Sequence, residues 1–216
     1  AIDNIPMKHE WVFHLDADER FTREIVEEMA QLLKANPAEA GYHVPNKLMF
    51  MGSWLKRSGG YPTYQVRLFH KERLRYEDHG HTQREVAEGP LGKMRRPYLH
   101  YNFSKGLHAW FDKHNNYSTA EAKEALRGSG SSLRKDLRDL FGLDGIRRHR
   151  ALKSIVYRLP GRSIIWIVYM LIIRLGFLDG KAGLNYIRLR STYESMIDAK
   201  LAVLKFETKH RGGGRR

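Results

Sequence analysis

The sequence predicts an α/β chain in two parts: a mixed β-sheet region over residues 1–104, then a helical region over residues 105–210, ending in a disordered tail at 211–216. Two observations carry this reading. Between residues 11 and 101, short apolar runs of strand texture alternate with Gly- and Pro-rich turns around a single amphipathic stretch. After Lys105 the apolar spacing becomes helical.

Each element has a local reason. Residues 11–16 are apolar at Trp11, Val12, Phe13 and Leu15, the texture of a buried strand. Residues 22–35 place Ile25, Val26, Met29, Leu32 and Leu33 on one side of a helix that Asn36-Pro37 stops. Strands are expected at 41–50 and 63–70 around a Gly-rich loop at 52–60, with shorter β pieces at 74–86 and 93–101. Helices are expected at 105–126, 133–141, 144–158, 163–175 and 181–209. Gly128-Ser-Gly-Ser-Ser132 reads as a hinge, and Gly176-Phe-Leu-Asp-Gly180 as the break between the last two helices.

With 216 residues and 42% apolar content, the chain can bury one core with a small appendage. It has no cysteine, which excludes disulfides and thiolate metal sites. Any metal must therefore be held by oxygen or imidazole, which suits magnesium or manganese better than zinc. A net charge of +14 calls for an anionic partner: nucleic acid, a phosphorylated substrate or an anionic membrane surface. The chain opens Ala-Ile-Asp-Asn-Ile-Pro with a strand almost at once, and the expectation is that a further N-terminal portion precedes it.

The candidate site starts at Trp11-Val-Phe-His-Leu-Asp-Ala-Asp-Glu-Arg20, where a buried strand ends in three carboxylates, Asp16, Asp18 and Glu19. Carboxylates at such a place call for a cation. Asp16 and Asp18, two apart on an extended segment, can face the same way and hold one divalent ion between themselves and a substrate's phosphates. Capping of the following helix by Thr22 or Asp18 is the simpler alternative, but it explains one carboxylate rather than three.

A second candidate feature is the run Ser163-Ile-Ile-Trp-Ile-Val-Tyr-Met-Leu-Ile-Ile173, bounded by Arg162 and Arg174. It is too short to cross a bilayer, which takes about 20 apolar residues. Its basic, Trp- and Tyr-containing surroundings suit a helix lying on an anionic leaflet, near residues 155–178. A buried core helix is the alternative. The stripe His108, Trp110, His114 and Tyr117 reads as packing rather than as a site, with Lys113 and Asn116 as the residues that could face an acceptor.

Leu15-Asp-Ala-Asp-Glu19 behind an apolar strand, Tyr98-Leu-His-Tyr-Asn102 followed by Lys113-His-Asn-Asn-Tyr-Ser118, and Gly176-Phe-Leu-Asp-Gly-Lys-Ala-Gly183 together resemble bacterial family 2 glycosyltransferases of the lipopolysaccharide-core and exopolysaccharide type. The resemblance implies a GT-A fold of which this chain is the metal-binding and acceptor half, the nucleotide-binding half being absent. It also implies a nucleotide-diphosphate sugar donor, Mn2+ or Mg2+, inversion at the anomeric carbon, and a lipid-linked or lipopolysaccharide saccharide as acceptor. The expected place is the cytoplasmic face of the bacterial inner membrane, as a peripheral or monotopic protein.

Within that resemblance Asp18 is the first choice of metal ligand. Asp16 binds ribose or a metal-bound water, Glu19 orients the site from behind, and His100 completes the ion's coordination. The catalytic base falls in Tyr76-Glu-Asp-His-Gly-His-Thr-Gln-Arg-Glu85, with Asp78 first and Glu77 and His81 behind it. Arg67 is expected either to meet the diphosphate or to serve as a structural ion-pair partner. Two other classes compete: a basic nucleic-acid-binding protein and a metal-dependent phosphodiesterase. No nucleic-acid module is recognisable and there is one convincing acidic cluster, so nucleic acid is not the expected partner.

Overall fold

The computed structural model describes residues 8–79, 82–128, 138–139 and 161–211. The chain divides into two compact units, Ala1–Ser104 and Lys105–Arg216. The expected helices at 133–141 and 144–158, the hinge from residue 129 onward and the tail from 212 lie outside the described residues, apart from a helical pair at 138–139.

The first unit is mixed α/β. Its elements are β1 (Trp11–Phe13), β2 (Glu19–Arg20), α1 (Arg23–Lys34), β3 (Gly41–Phe50), β4 (Ser53–Trp54), β5 (Thr63–His70), β6 (Leu74–His79), β7 (Thr82–Ala87), β8 (Leu91–Lys93) and β9 (Tyr98–His100). The main sheet runs β1-β5-β3-β9-β2, with β4 and β8 also paired to β3, while β6 and β7 form a separate hairpin. β3 is the centre: it is antiparallel to β5 and parallel to β8 and β9.

The helix forms where the sequence places it. Thr22 Oγ1 accepts the Ile25 N–H at 3.2 Å and donates to the Pro97 carbonyl, so Thr22 is the cap and Asp18 is not. The chain leaves the helix through Asn36 at φ 45° and Pro37. Ile25 is fully buried in a core with Tyr42, Val44, Leu68, Met94 and Tyr98, against which Trp11, Phe13, Met29 and Leu32 pack. Val26, expected on the same face, is exposed. The opposite sheet face holds Val66, Phe69 and Leu74, packed with Val12, Tyr76 and Leu91.

Two expected strands change shape. The first stops at Phe13 rather than 16, because residues 16–19 close a turn: the Glu19 N–H donates to the Asp16 carbonyl and the Asp16 N–H to the Glu19 carboxylate. The piece expected at 93–101 divides into β8 and β9. Between them the Arg95 and Arg96 N–H groups donate to Glu28 on α1, and Pro97 has no N–H to give to a ladder.

In the second unit α2 (Gly106–Gly128) packs on α4 (Gly180–Arg211), and α3 (Arg162–Val168) continues into a π-helical turn over Tyr169–Ile173. The expected straight helix at 163–175 is therefore interrupted, and it ends at Leu175 with φ 52°. A short 3-10 turn, Gly176–Asp179, leads into α4, and the two helical segments meet at 78°. Trp110 and His114 stack at 3.7 Å and reach Tyr193, as the packing reading requires. Burial pushes the His114 imidazole pKa down. His108 and Tyr117 stay exposed. Lys200 donates to Asn115, Ser118 and Thr119, and the buried Arg162 is held by Glu194 and Asp198, so the helices are joined by polar as well as apolar contacts.

Candidate functional site

Two of the three carboxylates, Asp16 and Glu19, are placed by one irregularity in the sheet. Tyr42 pairs with Leu68 and His43 with Val66, so Arg67 is the extra residue of a β-bulge. A bulge re-aims side chains. Arg67 thus joins Leu68 on the side of Tyr98 instead of alternating away. Its Nε lies 3.3 Å from the Tyr98 hydroxyl, and its Nη2 donates to Asp16 Oδ2 at 2.8 Å and to Glu19 Oε1. The Tyr98 hydroxyl in turn donates to Gln65.

Arg67 is 9% exposed and Glu19 0%, whereas Asp16 is 49% exposed. The numbers separate their roles. Glu19 is the buried counterion, and Asp16 closes the outer side. Burial works against the Asp16 charge, but the Arg67 hydrogen bond and the charges of Arg67, His14 and His100 win, holding its carboxyl below the ordinary value. Burial likewise opposes the Arg67 charge, and its contacts with Tyr98, Asp16 and Glu19 raise its pKa nonetheless. Of the two readings open for Arg67, the geometry is that of a structural ion-pair partner.

Asp18 is differently placed. Glu19 lies opposite His100 in the β2–β9 pair, and the Tyr101 N–H donates to the Asp18 carbonyl at 2.7 Å. This brings His100 Nε2 to 3.5 Å from Asp18 Oδ2, with the two side chains 25% and 30% exposed. His14 Nε2 lies 3.8 Å from Asp16 Oδ1 on the other flank.

The expected trio of Asp16, Asp18 and His100 is not one ligand set. Among the described residues no three His, Asp or Glu side chains converge to hold an ion. Asp16 faces Arg67, which leaves Asp18 and His100 as the pair that could. At 3.5 Å the carboxylate and imidazole are within ion-pair distance of one another. One carboxylate and one imidazole suit Mn2+ better than Mg2+.

The hairpin expected to hold the base flanks this region: Tyr76 lies against His14 with ring centroids 6.1 Å apart, and its hydroxyl donates to the Val66 carbonyl. Burial and the Glu85 charge push the Tyr76 phenol up to about 12. Glu77 points to solvent, accepts from Arg75 Nε at 3.0 Å, and makes no contact with Asp16, Asp18 or His100 among the described residues. The Asp78 backbone pairs with Gln83, but the Asp78 side chain and all of His81 lie outside the described residues.

A cleft of about 200 Å3 opens near the ends of β2, β3 and β9, lined by Arg20, Met49, Phe50, Met51, Gly52, Tyr101, Phe103 and Ser104. No sequence motif marks this cleft, although Tyr101 stands in Tyr98-Leu-His-Tyr-Asn102. The missed signal was Arg20, a cation directly after an inward carboxylate.

Two outcomes are expected. Glu19→Gln takes the charge from a covered position and leaves Arg67 under-compensated, so urea unfolding should show a loss of about 3–5 kcal/mol. Asp16→Asn, at a half-exposed position, should cost less. Because the folded pKa of Asp16 lies below its ordinary 3.8, its contribution is complete above that value and is lost as pH falls through the lowered one. Stability measured against pH below about 4 should therefore fall less steeply in Asp16→Asn than in the parent.

No protein-family model matches the chain, and no solved structure matches it.

Proposed function

We propose that this chain is the metal-binding and acceptor part of a GT-A-type glycosyltransferase that moves a sugar from a nucleotide-diphosphate donor to a lipid-linked or lipopolysaccharide saccharide, with Mn2+ or Mg2+ as cofactor. The observation that carries this reading is the Asp18–His100 pair at 3.5 Å, contributed by residues 82 positions apart and set at the end of a strand against a fixed ion pair. Asp18 and His100 would hold the ion, with donor diphosphate and water supplying the remaining ligands. Bound there, a divalent ion offsets the charge that develops on the diphosphate leaving group.

The chain's own residues do the rest. Arg67 holds Asp16 in place, so the loop that carries Asp18 is fixed before substrate arrives. The base that takes the acceptor hydroxyl's proton is assigned to Asp78 by family resemblance, with Glu77 and His81 as alternatives. A two-ion phosphodiesterase site needs more carboxylates than this one offers.

Attachment to the cytoplasmic face of the inner membrane is part of the proposal. No single helix among the described residues is long and apolar enough to cross a membrane. What supports surface attachment is exposure: Ile164, Ile172 and Ile173 are 66%, 64% and 69% exposed, and Phe177 and Leu178 are also open. An apolar patch of this kind on a chain of net charge +14 suits the interface of an anionic bilayer.

Calorimetry with uridine diphosphate, on the protein carrying the N-terminal portion that the resemblance implies, tests the site. Binding should require Mn2+ and weaken by at least about tenfold in Asp18→Asn and in His100→Ala. Metal-independent binding that ignores both substitutions overturns the metal assignment. Absence of binding by uridine, guanosine and thymidine diphosphates alike overturns the donor reading for this chain. Sedimentation with phosphatidylglycerol vesicles tests the membrane. Ile172→Asp with Ile173→Asp should reduce bound protein by roughly tenfold or more, given about 1.5–3 kcal/mol for each large apolar side chain withdrawn from water; equal binding by parent and variant overturns attachment through this face.

A further inference from the structure

We propose that the cleft lined by Arg20, Tyr101 and Phe103 is a binding site for one saccharide unit that carries a negative charge. As the acceptor subsite of the transfer this assignment rests on the glycosyltransferase reading; as a saccharide site it stands on the cleft itself.

The local geometry follows from alternation along β2. Glu19 turns inward to Arg67, so Arg20, the next residue, turns outward. Its guanidinium lies over the Tyr101 ring, 5.0 Å from the centroid. Among the described residues it has no carboxylate partner within ion-pair distance. A guanidinium bound through a ring face rather than to a carboxylate keeps N–H donors for a ligand, and its fork matches a carboxylate or phosphate in bidentate fashion.

The rest of the lining suits a sugar ring. Phe50 and Phe103 pack with centroids 4.2 Å apart and planes at 42°. Phe50 is buried, so Phe103 and Tyr101 give the cleft the aromatic surface against which the C–H face of a pyranose can lie. Met49 and Met51 supply adaptable apolar contact. At the rim the chain turns through Met51 at φ 49° and Gly52 at φ 74°, and nothing stands within 4 Å of where a Gly52 Cβ would be, so the entrance is open.

Size decides between ligand classes. About 200 Å3 is below the roughly 300–1,000 Å3 of pockets that enclose drug-sized ligands, so the cleft accommodates one sugar ring rather than a whole nucleotide. Position makes the site relevant: Tyr101 directly follows His100, and its N–H is bonded to the Asp18 carbonyl. The cleft is thereby tied through the backbone to the segments that carry both proposed ligands.

The test uses this chain without metal or nucleotide, so its failure is separable from failure of the donor reading. Glucose 6-phosphate, glucuronate, glucose and inorganic phosphate are titrated while the Tyr101 and Phe103 ring resonances are followed by NMR. Glucose 6-phosphate or glucuronate should bind about tenfold or more tightly than glucose, the difference between the two naming phosphate or carboxylate as the preferred charge. Arg20→Gln should erase the preference while neutral-sugar binding remains, and Phe103→Ala should weaken every sugar. Arg20 is exposed, so its variant is expected to fold. Equal binding of glucose overturns the charge requirement, and phosphate alone binding as tightly as its sugar ester overturns the saccharide. Absence of any shift with the sugars overturns the site.

Discussion

The first unit is organised around a buried arginine. Arg67 is carried into the interior by a one-residue bulge in β5, and a guanidinium there is tolerable only if charge and hydrogen bonds meet it on several sides. Glu19 meets it from β2, Asp16 from the turn before β2, and Tyr98 from β9. These partners come from separate parts of the sheet. The ion pair therefore fixes how the edge segments sit against the centre, which apolar packing, being non-directional, leaves free.

That constraint also distributes the carboxylates. Two of the three acidic residues behind β1 are committed to Arg67, and the one that is not, Asp18, stands with His100 at the surface. Strand alternation then sends Arg20 outward onto Tyr101, where it lines the neighbouring cleft. A covered electrostatic anchor, a half-exposed acid–imidazole pair and an aromatic cleft thus follow one another within a few residues. Glu19 and Arg20 alternate as strand residues do, while Asp18 is set by the turn that precedes them.

Much of the fold was legible. β3 begins at Gly41 and gives way to Met51-Gly52, β5 begins after Pro62, and α1 starts at its Thr22 cap and stops at Asn36-Pro37. The first strand was overextended because its apolar pattern runs through Leu15, while the turn that ends it depends on hydrogen bonds between Asp16 and Glu19. The piece after Lys93 was read as one strand because Glu28, the acceptor that draws Arg95 and Arg96 out of the ladder, lies on a helix 67 positions earlier. The 163–173 run was legible as apolar, yet its period could not tell a core helix from an exposed one; the exposure of Ile172 and Ile173 decides that.

By itself the sequence determined the kind of protein: a mixed α/β unit followed by helices, strongly basic, without thiolate chemistry, and with a carboxylate cluster behind a buried strand. These are local or compositional properties, set by side-chain periodicity and charge; the burial expected of the first strand is not among them, since β1 lies at the end of the sheet order and is only partly buried. Tertiary structure decided which carboxylate does what. Register belongs to a pair of strands rather than to one, so neither the bulge at Arg67 nor the approach of His100 to Asp18 is written in any single segment. The cleft under Arg20 arises the same way, from rings that only the folded sheet brings together.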